Sequence, residues 1–281
     1  MSNSTLTVGF VGLGDQGLPM AAAIAGAGYP LRVWARHRGS LEQLADTPHT
    51  PHDTLNGLAM SSDVVCLCVN TDEDVHALVT GGLADNMRRG TVIVNHGTGT
   101  PAQAIRIAAA CRARGVDYLD APVSGGRAGA EARTLVTMVG GPTEAFTRCK
   151  PAFLTFSSSV IHLGGHGAGE LAKLLNNTLM MMNQANIADV LELADHFQLD
   201  TRALIDVLQA GSGTSAALGM MAAGATTTPP EMIAHLHEVL LLDMNLFEAA
   251  MRESDAPATT LIERGYAGAH RVPQIVETLS R

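Results

Sequence analysis

The order of apolar segments along the 281-residue chain constrains its fold more than any other feature of the sequence. Up to about residue 164, short apolar runs that suit buried strands, such as LTVGFVGLG, alternate with segments that suit helices, such as LPMAAAIAGAG. Strands that alternate with helices form βαβ units on a parallel sheet with right-handed crossovers. After SSSVIHLGG the strand pattern stops, and ELAKLLNNTLMMMNQANIADVLELADHF, without glycine or proline, indicates one long helix.

The sequence therefore predicts two domains. Residues 1–164 are expected to form an α/β domain around a parallel-rich sheet, and residues 165–281 an all-helical domain that the long helix joins to the first. Within the second domain, TTTPP at 226–230 predicts a loop between helices.

Composition excludes several classes of protein. The net charge of −9 gives no basic field for nucleic acid or an anionic membrane surface. No apolar stretch reaches the roughly 20 residues of a membrane span, and the first residues show no signal-peptide pattern, so a cytoplasmic location is expected. Cys66 and Cys68 share one apolar run and are expected to be buried thiols rather than metal ligands. No metal site is predicted.

Three glycines follow the first predicted strand. They form G-x-G-x-x-G between an apolar strand and an apolar helix, which is the context that a dinucleotide-binding turn requires. Such glycines permit a tight turn, a close approach to the pyrophosphate and close helix packing, and the helix N-terminus attracts the phosphates. A plain glycine turn is the alternative. The predicted cofactor-binding residues of this turn are Gly12, Leu13, Gly14, Asp15, Gln16 and Gly17.

The end of the second strand indicates which dinucleotide is preferred. An NAD site usually has Asp or Glu there, to accept a hydrogen bond from the ribose 2′-OH, but VWARHRGS contains no carboxylate. Arg36 and Arg38 can instead hold a 2′-phosphate, although solvated loop charges are the alternative. The sequence thus favours NADP, with NAD less favoured. Further predicted cofactor contacts are Ala35, Val69, Asn70 and Thr98.

Two segments at strand ends offer ligand contacts. In DAPVSGG, Ser124 and the backbone of Gly125 and Gly126 can form a nest of N–H donors for a carboxylate, or simply a strand-to-turn junction. NHGTGTP follows a strand at the edge of the sheet where open α/β proteins bind ligands. Within it, Thr98 is a candidate ligand contact, and Thr98 or Thr100 can cap the next helix.

One helix face carries a candidate proton carrier. Lys173 and Asn177 lie four residues apart, so they share a face of the long helix. A lysine in an apolar helix beside a cleft can donate and accept a proton, and Asn177 can fix its position or hold a substrate hydroxyl. The alternative is a surface lysine paired with Glu170.

Three motifs together carry a resemblance. GLGDQGLPM, DAPVSGG with LVTMVGG, and GAGELAKLLNN occur in the order and at the spacing of the β-hydroxyacid dehydrogenase family, which the chain resembles over nearly its whole length. The resemblance implies an NADP-binding Rossmann domain, an all-helical substrate and dimerisation domain, and a homodimer or homotetramer. It also implies hydride transfer between nicotinamide and a small-molecule substrate, either a 3-hydroxy acid or its semialdehyde.

The resemblance also assigns roles to residues. It implies that Lys173 is the catalytic general acid and base, that Asn177 supports it, and that Arg36 accompanies NADP preference. It places Thr98 near the nicotinamide. The substrate-binding residues that it implies are Ser124, Gly125, Gly126, Lys173 and Asn177.

Three positions depart from the family pattern. The family commonly has Met at Gln16, Gly at Arg133 and Lys at Leu242, which precedes Asp243. The leucine removes a positive charge from the cleft and favours an alternative function, imine reduction on the same fold. Lys173 opposes that alternative, because imine reductases usually have Asp or Tyr there. Its retention also opposes a third possibility, a non-catalytic dinucleotide-binding interaction protein.

Overall fold

The computed structural model describes residues 6–224 and 229–280. They belong to two compact units, of which the first ends at Lys173 and the second begins at Leu174. The first unit contains the sheet, whereas the elements described in the second are all helical. Most of the predicted loop at 226–230 lies outside the described residues. Within the described residues, no helix is both long and apolar enough to cross a membrane.

Among the described residues, nine strands form one sheet. They are β1 (Val8–Val11), β2 (Leu31–Trp34), β3 (Thr50–Pro51), β4 (Val64–Leu67), β5 (Val92–Asn95), β6 (Asp117–Asp120), β7 (Val123–Ser124), β8 (Leu135–Gly140) and β9 (Ser157–Gly164). Their order is β3-β2-β1-β4-β5-β6-β8-β7, and β9 pairs with β8. The pairs from β3 to β6 and the β8–β9 pair are parallel, while β8 runs antiparallel to β6 and β7. The predicted parallel-rich sheet is confirmed.

The helices of the first unit connect these strands. They are α1 (Gly17–Gly26), α2 (Gly39–Glu42), α3 (Leu55–Met60), α4 (Asp72–Leu78), a π-helical turn (Val79–Leu83), α5 (Ala84–Asn86), α6 (Pro101–Arg112), α7 (Gly126–Glu131) and α8 (Thr143–Phe153). Thr100 caps α6, because its Oγ1 accepts a hydrogen bond from the N–H of Gln103 and Pro101 follows at the first helical position. The cap is therefore Thr100 and not Thr98.

The sheet has a hydrophobic core on each face. Successive side chains of a strand point to opposite faces, and in β4 Val64 and Cys66 join the cluster that contains α1, whereas Val65 and Leu67 join the cluster that contains α6. Central strands buried on both faces explain the continuous apolar runs of the sequence. Cys66 is buried and Cys68, just beyond β4, is half-buried, and both are free thiols.

The helical region is built around its own core. Its elements are α9 (Ala168–His196), α10 (Thr201–Ala210), α11 (Ala216–Gly224), α12 (Pro230–Glu253) and α13 (Thr259–Ser280). The predicted long helix is confirmed as α9, with 29 residues. Met181, Met244, Phe247 and Ile275 are buried in the core between these helices.

One departure from the family pattern, Arg133, lies just after α7. Arg133 follows the C-cap residue Ala132 and has φ of 57°, which is the left-handed conformation that glycine adopts most readily after a helix. We expect Arg133→Gly to raise the free energy of unfolding by about 1 kcal/mol, since it removes the steric cost of a side chain there. Thermal denaturation followed by circular dichroism measures the gain.

The neighbouring position supplies the control for this prediction. Ala132 has φ of −77°, so Ala132→Gly adds backbone freedom without relieving strain and should lower the stability by about 0.5–1 kcal/mol. A loss of stability in both variants would contradict the strain at Arg133.

Candidate functional site

A cavity of about 330 Å³ opens at the carboxyl ends of β1, β2 and β4. The strand β1 lies between the other two, so this is the point where the strand order reverses and where open α/β sheets bind ligands. The cavity is lined by Val11, Gly12, Leu13, Gly14, Trp34, Ala35, Arg36, His37, Ser40, Cys68, Val69, Asn70, Asp74 and Leu78.

Glycine occupies the three positions of the motif for different physical reasons. A Cβ on Gly12, which has φ of 94°, would lie 2.1 Å from the carbonyl oxygen of Cys68, and a Cβ on Gly17 would lie 1.9 Å from the carbonyl oxygen of Gly12. The fold itself therefore requires these two glycines. By contrast, a Cβ on Gly14 would meet no atom of the described residues within 4 Å. Its backbone borders open space in the cavity.

The cavity brings together seven of the residues predicted for cofactor binding: Gly12, Leu13, Gly14, Ala35, Arg36, Val69 and Asn70. Five others lie outside its lining: Asp15, Gln16, Gly17, Arg38 and Thr98. Asp15 is exposed and lies 3.4 Å from the guanidinium of Arg127, while Gln16 occupies the N-cap position of α1. The sequence reasoning missed the other seven residues that line the cavity: Val11, Trp34, His37, Ser40, Cys68, Asp74 and Leu78.

The two arginines after β2 have different surroundings. Arg36 lines the cavity and donates from Nη2 to Oδ1 of Asp74 at 3.0 Å. Arg38 donates to Asp53 at 2.6 Å, and both side chains of that pair are more than 80% exposed. Of the two, only Arg36 lines this cavity.

A buried carboxylate fixes the start of α9. Asp120, the last residue of β6, accepts backbone hydrogen bonds from Gly167 and Gly169 at 2.8 Å and from Glu170 at 3.1 Å. Burial raises the pKa of this carboxyl, and the backbone hydrogen bonds act in the opposite direction. The positive end of the helix dipole also favours an anion there. The first residue of DAPVSGG thus anchors the helix that carries Lys173.

Glu170 makes a second link between α9 and the sheet. Its carboxylate accepts a hydrogen bond from the N–H of Gly99 at 2.8 Å and another from Nδ2 of Asn95 at 3.3 Å. Burial raises the pKa of Glu170 well above its ordinary value, an effect that the Gly99 N–H and the charge of Lys173 oppose. Glu170 is therefore a buried residue and not the exposed partner of a surface lysine. Lys173 itself is half-buried.

The segment that contains Thr98 is held from two sides. On one side its neighbour Gly99 donates to Glu170, and on the other Asp72 accepts from the N–H of Thr100 at 2.8 Å. A Cβ on Gly99 would lie 1.9 Å from Oδ1 of Asp72, so any side chain there would displace the carboxylate that holds Thr100. Thr98, half-buried, lies in this fixed turn.

The DAPVSGG segment ends at the start of α7. Ser124 is half-buried, whereas Gly125 and Gly126 are exposed and have φ of 129° and 61°. Two successive positive φ values explain why glycine occupies both positions. The backbone here can offer N–H groups to an anion.

Asn177 is buried in the helical unit, where it makes two hydrogen bonds. Its Nδ2 donates to Asp243 at 2.7 Å, and its Oδ1 accepts from Asn176 at 3.0 Å. Leu242, beside Asp243, is 52% exposed. The link between Asn177 and Asp243 was missed by sequence reasoning, because the residues lie 66 positions apart.

One histidine near the site, His96, belongs to the hydrophobic core. His96 is buried with its ring edge-on to Phe153 and Phe156, and burial lowers its pKa to about 4, so it is a neutral core residue at pH 7.

Within the described part of the chain, no group of three or more His, Cys, Asp or Glu residues suits a metal ion.

Two family models match the chain. The NAD-binding domain of 6-phosphogluconate dehydrogenase matches residues 7–164, and the NAD-binding domain of NADP-dependent 3-hydroxyisobutyrate dehydrogenase matches residues 167–272.

Relatives and a solved structure agree with these models. The chain is 34% identical to the NAD-dependent L-serine dehydrogenase of Pseudomonas aeruginosa, over 75% of this chain and 72% of the relative. It is also 34% identical to the 3-hydroxyisobutyrate dehydrogenase of the same organism, over 76% and 72%. The Mycobacterium tuberculosis 3-hydroxyisobutyrate dehydrogenase, solved with L-serine, superposes with a TM-score of 0.84 at 26% identity and 98% coverage of both chains. The chain therefore belongs to the β-hydroxyacid dehydrogenase family of NAD(P)-dependent oxidoreductases.

Proposed function

We propose that the protein is an NADP-dependent oxidoreductase that acts on a small 3-hydroxy acid or its semialdehyde. The bound cofactor supplies hydride exchange at its nicotinamide. The observation that carries the proposal is the cavity beside β1, where the backbone of Gly14 borders open space sufficient for a ligand. The substrate class is supported by the relatives, which are an L-serine dehydrogenase and a 3-hydroxyisobutyrate dehydrogenase.

NADP is the proposed cofactor because Arg36 lines the cavity and residues 35–38 contain no carboxylate. The description of the second family model, which names an NADP-dependent enzyme, supports this choice. NAD is the less favoured cofactor. We assign cofactor binding to residues 1–164 and substrate binding with dimerisation to residues 165–281, and the boundary between the two family models supports that division.

Lys173 is the proposed general acid and base. It follows Glu170 by one helical turn. Two hydrogen bonds hold that turn, one from the N–H of Gly99 to Glu170 and one from the N–H of Gly169 to Asp120 of β6. A positioned ammonium can protonate the oxygen of a carbonyl that is being reduced, and the neutral amine can accept that proton in the reverse direction.

Other residues are proposed to bind the substrate. Asn177 follows Lys173 by one more turn, and its bond to Asp243 limits its orientation, so it is suited to hold a substrate hydroxyl. The hydroxyl of Ser124 and the backbone N–H groups of Gly125 and Gly126 are proposed to bind the substrate carboxylate.

Imine reduction on the same fold is the second candidate function. The observation in its favour is the exposed, uncharged side chain of Leu242 where the family commonly has lysine. Lys173 opposes it. Absorbance assays with NADPH and NADH against aldehydes, hydroxy acids and cyclic imines separate the two functions, since turnover confined to imines would reject the first.

The glycine motif yields a prediction that requires no turnover. Gly14→Ala should weaken NADPH binding by roughly tenfold or more, about 1.4 kcal/mol, because the methyl group occupies space proposed for the pyrophosphate. The stability of the protein without cofactor should change little, since that methyl group meets no atom of the described residues within 4 Å. Calorimetric titration and thermal denaturation measure the two effects.

Two further glycines are controls for Gly14. Gly81 also faces open space but lies outside the cavity lining, so Gly81→Ala should leave NADPH affinity unchanged. Gly17→Ala should destabilise the fold itself, because its Cβ would lie 1.9 Å from a backbone oxygen. Normal NADPH binding by Gly14→Ala would reject the proposed position of the pyrophosphate.

Lys173→Ala separates an enzyme from a binding protein. Turnover should fall by about 10²–10⁴-fold, the usual contribution of positioned acid–base catalysis. NADPH affinity should stay nearly constant and remain higher than NADH affinity in the same titration. Lys150 is the only other lysine of the chain, so Lys150→Ala is the matched control and should keep full turnover. Full turnover of Lys173→Ala would assign the proton to another group.

We also propose a cytoplasmic homodimer or homotetramer whose ligand is a small molecule and which binds neither nucleic acid nor membrane. The support for assembly is a set of exposed apolar side chains on α9: Leu171, Leu175, Leu179, Val190 and Leu193. A second copy of the chain is suited to cover such a surface.

Light scattering at micromolar concentration tests the assembly. We expect a mass of at least twice the 29.3 kDa of one chain, because the apolar side chains of α9 would be buried in the interface. Leu179→Glu, which places a charge on this surface, should shift the mass towards the monomer. A single 29.3 kDa species for the unchanged protein would reject the assembly.

A further inference from the structure

We propose that Asp74 sets the cofactor preference of this enzyme by pairing with Arg36, and that it limits the selectivity for NADP over NAD. The proposal rests on the proposed function only in that it takes the cavity beside β1 as the dinucleotide site. Asp74 lies on a different element from Arg36 and does not belong to the glycine motif.

The geometry fixes the pair at the wall of the cavity. Asp74 lies in the first turn of α4, where its N–H donates to the capping Oγ1 of Thr71 at 3.1 Å. Its Oδ1 accepts from Nη2 of Arg36 at 3.0 Å, and both residues line the cavity. The carboxylate is the less exposed partner, with 33% exposure against 67% for the arginine. Solvent therefore screens the carboxylate only in part.

The pair acts differently on the two cofactors. A 2′-phosphate that binds Arg36 comes close to the carboxylate that shares the same guanidinium, and a like charge within about 4–6 Å disfavours an anion. The ribose 2′-OH of NAD carries no charge and can donate a hydrogen bond to a carboxylate, which is the usual role of the acid at the end of the second strand. Asp74 thus supplies from α4 the acid that residues 35–38 lack.

The other side chains that line the cavity do not neutralise the charge of Asp74. Besides Arg36 and Asp74, the titratable side chains among the described residues that line the cavity are the exposed His37 and the thiol of Cys68, and Ser40 adds a hydroxyl. Arg38 pairs with Asp53 outside the lining. The charges of Arg36 and Asp74 therefore sum to zero where the adenosine ribose is expected. The occurrence of both an NAD-dependent relative and an NADP-dependent family model agrees with a balance of this kind.

The test is a set of binding titrations that need no substrate. The protein and its Asp74→Asn variant are titrated by calorimetry with NADPH, NADH, 2′,5′-ADP and 5′-AMP. The asparagine keeps the size of the side chain and removes its charge, so NADPH and 2′,5′-ADP should bind about three- to tenfold more tightly. NADH and 5′-AMP should bind equally or more weakly. The gain should shrink in high salt, because it is electrostatic.

Two control variants separate this effect from a structural one. Asp53→Asn breaks the matched pair outside the cavity and should leave all four affinities within about twofold, as expected for exposed ion pairs. Adding Asp74→Asn to Arg36→Gln should give a much smaller gain than adding it to the unchanged protein. Weaker or unchanged binding of 2′,5′-ADP by Asp74→Asn would overturn the proposal, since it would mean that Asp74 only orients the arginine or does not reach the ligand.

The same titrations also show whether the role of Asp74 and the proposed function fail separately or together. If the unchanged protein binds NADH more tightly than NADPH while Asp74→Asn still strengthens 2′,5′-ADP binding, the NADP preference fails and the role of Asp74 stands. If none of the four ligands binds, both proposals fail.

Discussion

The buried carboxylate of Asp120 is the contact on which the rest of the site depends. It joins the end of β6 to three N–H groups at the start of α9, and the helix dipole adds to the attraction. The approach is so close that a Cβ on Gly169 would lie 2.5 Å from the carbonyl oxygen of Asp120. Because this turn leads directly to Lys173, the position of the proposed proton carrier is set by a structural carboxylate. Removal of such a partner leaves buried N–H groups unsatisfied, which costs about 1–3 kcal/mol for each group.

A second set of contacts carries the same constraint to the neighbouring strand. Glu170 binds Asn95 at the end of β5 and the N–H of Gly99, and Asp72 holds Thr100 on the other side. The turn at 97–100 is thereby fixed between α4 and α9 before any ligand binds. Preorganised backbone of this kind avoids the entropy that a mobile loop would lose on binding. Buried acids that face N–H donors therefore have an anchoring role here, although acids in clefts are often first considered as catalysts.

The sequence predicted the elements that long apolar runs define, and it missed contacts that the sheet order creates. Strand β1, the glycine turn and α9 were all recognisable from local pattern and residue type. The Arg36–Asp74 pair was not, because its members lie 38 positions apart and meet only because β2 and β4 pair with β1 from its two sides. Short elements without an apolar run, such as β3 and α7, also escaped prediction. Two arginines two positions apart looked equivalent in sequence, yet only Arg36 lines the cavity.

Small energies are sufficient to shift the balance between NADP and NAD binding. Exposed ion pairs contribute about 0–1 kcal/mol, and a tenfold change in affinity corresponds to about 1.4 kcal/mol. A carboxylate delivered by α4 can therefore offset a large part of what an arginine after β2 contributes to phosphate binding. Because the two residues lie on separate elements, substitution of Asp74 can shift the preference without altering the glycine turn, whose Gly12 and Gly17 are required by the fold. On the role proposed for Asp74, the residues after β2 and the first turn of α4 together determine the cofactor preference.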